Sequence, residues 1–576
     1  MLYVVDPVTE EEFEVTTIEV DHPSNDVRTL EKVKLSPQEF VAFVREHEQA
    51  HEQKPESTEG NGRHPRWVWP DTSITYAFLL AHGVRVERCH DLRKSRAILR
   101  GAAWTSPQAF TSATNPLEAN SWNHPPTQPS DALFSTKPRA VPEPLTEYRR
   151  QLTVLATAEP ALKGRLNFLL AAESAGTLVA AEMTYAGVPW KREIHDSILA
   201  EALGPRPLAG TRPDRLESLA QQIRDLLDAP GLNPDSPREL LKALNQAGFS
   251  VKSTNKWEIK DVDHPAVPAL LEYKKLSRMM TANGWTWLDE WVKDGRFRPI
   301  YVPGGAATGR WGADGGGALQ LPHFVRPAVV ADEGWTFVIA DAAQVEPRIL
   351  AAMSGDRAMA SAGRGLDMYQ AIADAGITED RSHAKYGMLG AMYGGTTGVS
   401  AQVLPKFKVA FPRAMGMLER AARAGEQGAV VHTWLGRTSA PGSFDGAGEG
   451  EDAASAKDRR ARARGYGRFT RNFIVQGSAA EWALCWMASV RQQLWRLSLK
   501  ESAGADGAAP LVTAGPHLVF FLHDEILVHT PSHLAPAVAR IVEDAAREAG
   551  RLLFGQTDVE FPITAAVNST YTDPKS

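Results

Sequence analysis

Cysteine is almost missing: two residues in 576, Cys89 and Cys485. So few exclude a disulfide scaffold and a cysteine-rich zinc site, and they fit a reducing compartment. The start, Met1-Leu2-Tyr3-Val4-Val5-Asp6, turns acidic and lacks the basic and apolar regions of a secretory leader. No apolar run is long enough to span a bilayer, since residues 386–405 are broken by Gly, Thr and Ser. A cytoplasmic protein with no membrane partner is expected. A surplus of one charge is lacking too: 63 Lys+Arg stand against 69 Asp+Glu, a formal charge of −6. That excludes a histone-like polycation but leaves room for a local basic groove. With no internal repeat, 43% hydrophobic and 23% charged residues, the composition is that of a globule with about four domains' worth of chain.

Residues 1–100 mix short β-rich runs with an acidic patch at 46–59 and read as a small α/β unit. Between 105 and 147, eight prolines stand among Ser, Thr, Asn and Gln, a composition suited to a linker. Beyond it Leu162, Leu166, Leu169 and Leu170 form a helical stripe that a Gly187-Val188-Pro189 stop follows. Residues 441–456 and 501–516 are low in complexity and read as surface insertions.

Four constellations carry chemistry. In the run from Trp335 to Leu350 an apolar strand delivers Asp341 at its carboxyl end, and a helix follows with Pro347 in its first turn. Asp341 is either a helix cap or a carboxylate facing a cleft. From His517 to Pro531 two apolar β runs flank His523-Asp524-Glu525, a hairpin bend without the usual Asn-Gly or Asp-Gly. Carboxylate oxygens are the ligands Mg²⁺ requires, and an Asp from each of two neighbouring strands suits a pair of ions about 3.5–4 Å apart that promotes phosphoryl transfer. In the third, Arg381, Lys385, Leu389 and Tyr393 recur every fourth residue along one helical stripe. Two cations followed by an apolar and an aromatic position suit a nucleoside triphosphate, but a half-buried amphipathic helix has the same pattern. The fourth is Lys457 to Arg471, where seven cations surround the single acid Asp458. It is either a nucleic-acid contact or a solvated helix face. Asn472-Phe-Ile-Val-Gln476-Gly477-Ser478 follows, with amides and small residues that allow close approach of a base edge.

Asp341-x-x-Gln344-x-Glu346-x-Arg348, Arg381-x₃-Lys385-x₇-Tyr393-Gly394 and His523-Asp524-Glu525 resemble, in order and spacing, motifs A, B and C of the family A DNA polymerases. Thr308-Gly309-Arg310 with Leu319-Gln320-x-Pro322 is similar to the family's primer-contacting segment. Arg468-x₃-Asn472-x₃-Gln476-Gly477 resembles the segment before motif C, while Asn233-Pro-Asp-Ser236-Pro and Leu271-Glu-Tyr273 resemble thumb-to-palm landmarks. The resemblance covers about residues 165–570 and implies an α+β right hand of thumb, palm and fingers, with an antiparallel palm sheet and a small α/β exonuclease-like domain before it.

The boundaries it implies are 1–104 for the truncated exonuclease-like domain, 105–147 for the linker and 148–576 for the polymerase domain. Within the last, the thumb is expected at about 190–275, the palm at about 276–355 and 480–576, and the fingers at about 356–480. By the same resemblance, Asp341 and Asp524 bind two Mg²⁺ ions, replaceable by Mn²⁺, with Glu525 in support. Arg381 and Lys385 contact the incoming dNTP, Lys385 also serving catalysis, and Gln344, Leu389 and Tyr393 complete the nucleotide site. Glu346 crowds a ribose 2′-hydroxyl. Arg310, Gln320, Arg468, Asn472, Gln476 and His523 touch the DNA primer-template.

Several positions depart from the family pattern. Leu389 replaces the usual aromatic residue, Ala342-Ala343 replace Tyr-Ser, and Tyr369 stands where a His is usual, which implies a divergent bacterial branch. Asp6-Pro7-Val8 lacks the second acid of an exonuclease DxE pair, so no proofreading is expected. The function implied is template-directed DNA synthesis in repair or gap filling by a nucleoid-associated monomer. The alternatives are a single-subunit RNA polymerase-like enzyme, which Glu346 opposes, and an inactive DNA-binding homologue, which the retained Asp and cation positions oppose.

Overall fold

The computed structural model describes residues 1–9, 11–21, 25–52, 64–110, 122, 143–208, 210–395, 397–443, 453–502 and 511–571. Two compact units divide the chain. One joins Met1–Ala186, Ile300–Asp314 and Phe337–Val567, and the other Gly187–Pro299, Gly315–Thr336 and Asn568–Ser576.

The first unit begins with a five-stranded sheet of Leu2–Pro7, Phe13–Val20, Val27–Leu35, Arg66–Trp69 and Arg88–Asp91. Their order is third, second, first, fourth, fifth. The first three pair antiparallel, and the first, fourth and fifth run parallel. Side chains alternate across the pleat and both faces are covered. Tyr3, Val5, Trp67 and Trp69 pack with Phe40 and Tyr76 on one face, and Val4 and Val68 with Leu92, Leu145 and Tyr148 on the other. The α/β unit expected at the N-terminus is thus present, and the helix Pro144–Ala156 supplies part of its cover. Most of the linker expected at 105–147 lies outside the described residues, as do 444–452 and 503–510 of the two low-complexity stretches and 53–63 of the acidic patch and its surroundings. Trp122 is described, and it is buried.

The helix Pro160–Ala186 buries Leu166, Leu169 and Leu170 as the stripe requires, and it stops before Gly187, whose φ of +67° ends it. A second sheet orders its strands His517–Leu522, Glu525–Pro531, Trp335–Ala342 and Ile563–Asn568, the first two being an antiparallel hairpin. The 50-residue helix Ala453–Ser502 packs against helices Pro412–Glu426 and Ala535–Phe554. Trp482 stacks on Trp486 and Phe561 at 5.3 and 5.4 Å, and the Trp486 indole donates to the Val542 carbonyl at 3.0 Å.

The second unit is mainly helical. Arg192–Leu203, Asp214–Leu226, Pro237–Gln246 and Ala266–Asn283 enclose Leu199, Leu216, Ile223, Leu240, Leu270 and Tyr273. Ser236, in the Asn233–Pro237 landmark, caps its helix by accepting from the Glu239 amide at 3.4 Å. Among the described residues no helix is long and apolar enough to cross a membrane.

Candidate functional site

The strand Trp335–Ala342 buries Thr336 to Ala340 and brings Asp341 out half-buried beside its last residue. The helix cap considered for Asp341 is not what forms. Helix Val345–Ser354 starts from Gln344 in the left-handed region, φ +53°, with no side-chain cap. On the neighbouring strand, Leu522 pairs with Glu525 across a two-residue turn of His523 and Asp524. His523 takes φ +57°, the positive φ that tight hairpins demand and that His tolerates better than most residues. The bend is therefore where the sequence placed it, without Asn-Gly. The Ala342 amide donates to the Asp524 carbonyl at 3.0 Å, fastening the bend to the end of the Asp341 strand. Burial pushes the Asp524 carboxyl up to about 6; the negative charges of Glu346 and Asp341 push the same way, and Arg310 opposes them. The Asp341 charge thus reaches the Asp524 carboxyl.

In the first turn of its helix, Glu346 is buried and doubly held. Arg310 donates to one carboxylate oxygen, and the Tyr393 hydroxyl to the other at 2.9 Å. Burial and then the Glu346 charge lift the Tyr393 phenol to about 12, against Arg310 and Gln476, which places Gln476 in the same cluster. Arg348, fully buried, donates to the carbonyls of Ala343, Gly363, Glu560, Gly365 and Leu366 and so fixes the loop around Asp367. Burial lowers its pKa to about 10.

The stripe expected at 381–393 is a helix over those residues. It buries Ala384, Gly387, Met388, Ala391 and Met392 and leaves Arg381, Lys385 and Tyr393 exposed, with Leu389 half-buried. Asp380 caps it by accepting from the His383 amide at 2.8 Å. At its other end Gly394 has φ +76°, and a Cβ there would lie 2.8 Å from the Arg468 side chain, so glycine permits both the turn and the approach of the long helix. Gly477, inside the long helix, permits close approach alone: its Cβ would meet Thr433 at 2.3 Å and the Thr308 carbonyl at 2.8 Å. Asn472 keeps a buried Oδ1 without a hydrogen-bond partner, and Thr308 a buried Oγ1. Of the seven cations at 457–471, Lys457, Arg460, Arg462, Arg464 and Arg468 are exposed. Arg471 is instead half-buried and donates to the Ala391 carbonyl at 3.2 Å, so it is not part of a solvated face.

The first unit therefore holds Asp341, Asp524, Glu525, Glu346, Gln344, Arg381, Lys385, Leu389, Tyr393, Arg310, Arg468, Asn472, Gln476 and His523. Gln320 ends a short 3₁₀ turn, Ala318–Gln320, in the second unit. Sequence reasoning passed over Asp367. Its carboxylate caps helix Met368–Asp374, accepting from the amides of Tyr369 and Gln370 at 3.1 Å each, from Gln344 Nε2 at 2.8 Å and from Arg381 Nε at 2.6 Å. Arg381 also lies 5.9 Å from the Tyr369 ring. The cap was visible as an Asp before a short helix; its link to Gln344 and Arg381 was not.

The model of DNA polymerase family A matches residues 208–573. The chain belongs to this family. Among curated relatives, DNA polymerase I of Chloroflexus aurantiacus is 26% identical over 355 residues, covering 56% of this chain and 34% of the relative. The thermostable DNA polymerase I of Thermus filiformis is 26% identical over 399 residues, 64% of this chain and 43% of the relative. The chain thus spans roughly a third to two fifths of the length of these relatives. The polymerase domain of Pol1 from M. smegmatis, solved with DNA primer-template and dNTP, has the same fold: TM-score 0.66 at 18% identity, over 99% of this chain and 95% of that one.

Family A polymerases use divalent metals, and the donor set fits them. Mg²⁺ is commonly held by one or two carboxylates together with substrate phosphates and water. Asp341 and Asp524 supply two; burial is the main reason that the Asp524 carboxyl is raised, and the charges of Glu346 and Asp341, which add to it, are of the sign that a cation would offset. Among the described residues no group of three or more acidic, His or Cys side chains gathers into a self-sufficient metal site, so the remaining ligands would come from substrate and solvent.

Proposed function

We propose that the chain is a template-directed DNA polymerase that adds deoxynucleotides to a primer 3′ end. The observation that carries this is the Ala342–Asp524 backbone bond, which sets two aspartates from separate motifs at the ends of adjacent strands. The primer 3′-oxygen attacks the α-phosphorus of the dNTP, and the bond to the bridging oxygen breaks to release pyrophosphate. Two divalent cations held by Asp341 and Asp524 would activate the 3′-hydroxyl and steady the leaving group. Lys385 and Arg381, exposed on one helical face, take the triphosphate charge, and Leu389 and Tyr393 flank sugar and base. Arg381 leaves Asp367 when it takes a phosphate. That exchange costs little, since a half-exposed ion pair contributes about 0.2–1 kcal/mol.

Glu346, held by Arg310 and Tyr393, crowds the position of a 2′-hydroxyl. Arg468, Asn472, Gln476, His523 and Gln320 contact primer-template. Glu525 supports the two aspartates from the start of its strand. In right-hand terms residues 190–275 form the thumb, 276–355 with 480–576 the palm, and 356–480 the fingers. The N-terminal sheet does not proofread in this reading. Its Asp91 caps helix Leu92–Gly101 and accepts from Thr72, and Glu14, beside Asp6, is paired with Lys32 at 2.6 Å. A cytoplasmic monomer acting in repair or gap filling completes the proposal.

Primer extension with Mg²⁺ or Mn²⁺ tests it. Wild type is expected to extend a primed template with dNTPs, and Asp341→Ala to lose about 10²–10³-fold in rate, the scale on which removing transition-state charge stabilisation acts. Undiminished extension by Asp341→Ala would overturn the assignment.

A further inference from the structure

Arg310 holds one oxygen of Glu346 from a small hairpin in which Tyr301 pairs with Ala313 and Val302 with Gly312. Two backbone bonds stiffen its tip: the Ala306 amide donates to the Arg310 carbonyl at 3.0 Å, and the Gly309 amide to the Ala306 carbonyl at 2.8 Å. An isolated pair of such short strands is not stable by itself, so the anchors of the hairpin decide where the Arg310 guanidinium points. One anchor is the strand that leads to Asp524: the Tyr301 hydroxyl donates to the Phe521 carbonyl and accepts from the Phe521 amide, both at 3.0 Å.

The other anchors come from the N-terminal part of the chain. Lys94, on helix Leu92–Gly101, donates from its ammonium to the Pro303 carbonyl at 2.7 Å. A hydrogen bond from a charged donor is shorter and roughly twice as strong as a neutral one. Glu173, buried on helix Pro160–Ala186, accepts from the Arg437 guanidinium. That pair lies against the hairpin: a Cβ on Gly309 would stand 2.4 Å from Arg437 Nε, and one on Gly304 3.2 Å from a Glu173 oxygen. Arg437 is in turn set by the turn at 431–439, where the Thr433 hydroxyl accepts from its amide at 2.9 Å. The residues that follow helix Leu92–Gly101 close on the same turn. The Ala103 amide donates to Thr438 Oγ1 at 3.1 Å, the Trp104 and His432 rings lie 5.1 Å apart, and a Cβ on Gly436 would meet Trp104 at 2.3 Å. Helix Leu92–Gly101 and its exit thus grip both pieces that seat Arg310: the hairpin directly, and Arg437 through its turn.

We propose that the N-terminal α/β unit serves nucleotide selection by positioning Arg310, with Lys94 as the positioning residue. The inference rests on the polymerase reading and deepens it: the sheet that does not proofread fixes the guanidinium that holds Glu346 against a 2′-hydroxyl. Lys94 bonds to the backbone of the hairpin and not to Glu346, so its effect travels through Pro303 and the hairpin to Arg310, a contiguous physical path. Such an effect has a signature. It changes the ratio between the two sugars, whereas a merely structural loss lowers both rates together.

Primer extension by the full chain tests it, with kcat/KM measured for a dNTP and for the matching ribonucleotide. Lys94→Met keeps the aliphatic stem and removes the donor. It is expected to narrow the preference for the dNTP about tenfold, the scale of one hydrogen bond from a charged group, while Tm falls by less than about 5 °C. Lys94→Arg, which still donates, is expected to keep most of the preference. In an Arg310→Ala background, Lys94→Met should change the ratio by less than about twofold, because two residues on one path are not additive. Thr438→Val removes the acceptor of the Ala103 amide and serves, with the same expected direction and the same Arg310→Ala comparison, if Lys94→Met fails to fold. Full preference in the folded variant, or an effect that adds in full to that of Arg310→Ala, would overturn the proposal. Absence of extension by wild type would overturn the polymerase reading instead, so the two failures are distinct.

Discussion

The role proposed for Glu346 depends on its neighbours. A lone carboxylate on the first turn of a helix would favour the dipole and be solvated. Here it is buried with Arg310 on one oxygen and Tyr393 on the other, which fixes its side chain rigidly enough to act as a steric wall. Glu346→Ala is expected to narrow the preference for deoxynucleotides over ribonucleotides by about 10–200-fold, the range that a close steric contact controls. Glu346→Gln keeps the shape and should narrow it far less. The ratio of kcat/KM for a dNTP to that for the matching ribonucleotide measures both. Unchanged sugar selection in the alanine variant would remove Glu346 from this role.

At the scale of elements, the site depends on close approach between the long helix and the segments around it. Its Glu481 is buried and accepts from the Thr433 hydroxyl and from the Leu435 amide at 3.0 Å, clamping the turn at 431–439. Burial raises this carboxyl from 4.5 to about 7. The folded state therefore holds a proton that the unfolded chain releases near 4.5. Its contribution is fully present below that pH and is lost as pH rises through about 7, an effect of about 3 kcal/mol at most. The melting temperature should fall between pH 5 and pH 8, and Glu481→Gln should flatten that slope. A variant with the wild-type pH profile of Tm would show that Glu481 does not titrate in this window.

For the whole molecule, a net charge of −6 coexists with a cationic stretch of the long helix. Repulsion from the acidic remainder is screened beyond about 10 Å at 0.1 M salt, so Arg460, Arg462 and Arg464 act locally. Removing one phosphate-binding cation should reduce the slope of log affinity against log salt by about 1. Arg460→Gln with Arg464→Gln is expected to weaken primer-template binding evenly across sequences and lower that slope by about 2. Fluorescence anisotropy at several salt concentrations measures it, and an unaltered slope would leave those arginines as a solvated face.

Local pattern alone determined the strand that carries Asp341 near its carboxyl end, the hairpin bend at His523-Asp524, the amphipathic helix at 381–393 and the α/β character of the N-terminal sheet. Each follows from apolar periodicity and turn chemistry within about fifteen residues, the range over which sequence acts directly on the backbone. The family motifs gave the residues their expected roles. Tertiary structure decided what periodicity cannot encode. It ruled out the cap for Asp341, withdrew Arg471 from the cationic face, and joined Asp367 to Arg381 and Gln344. It also set Lys94 and Trp104 against the segments that seat Arg310. Those outcomes depend on contacts between segments far apart in the chain, whose energies exist only once the elements have packed.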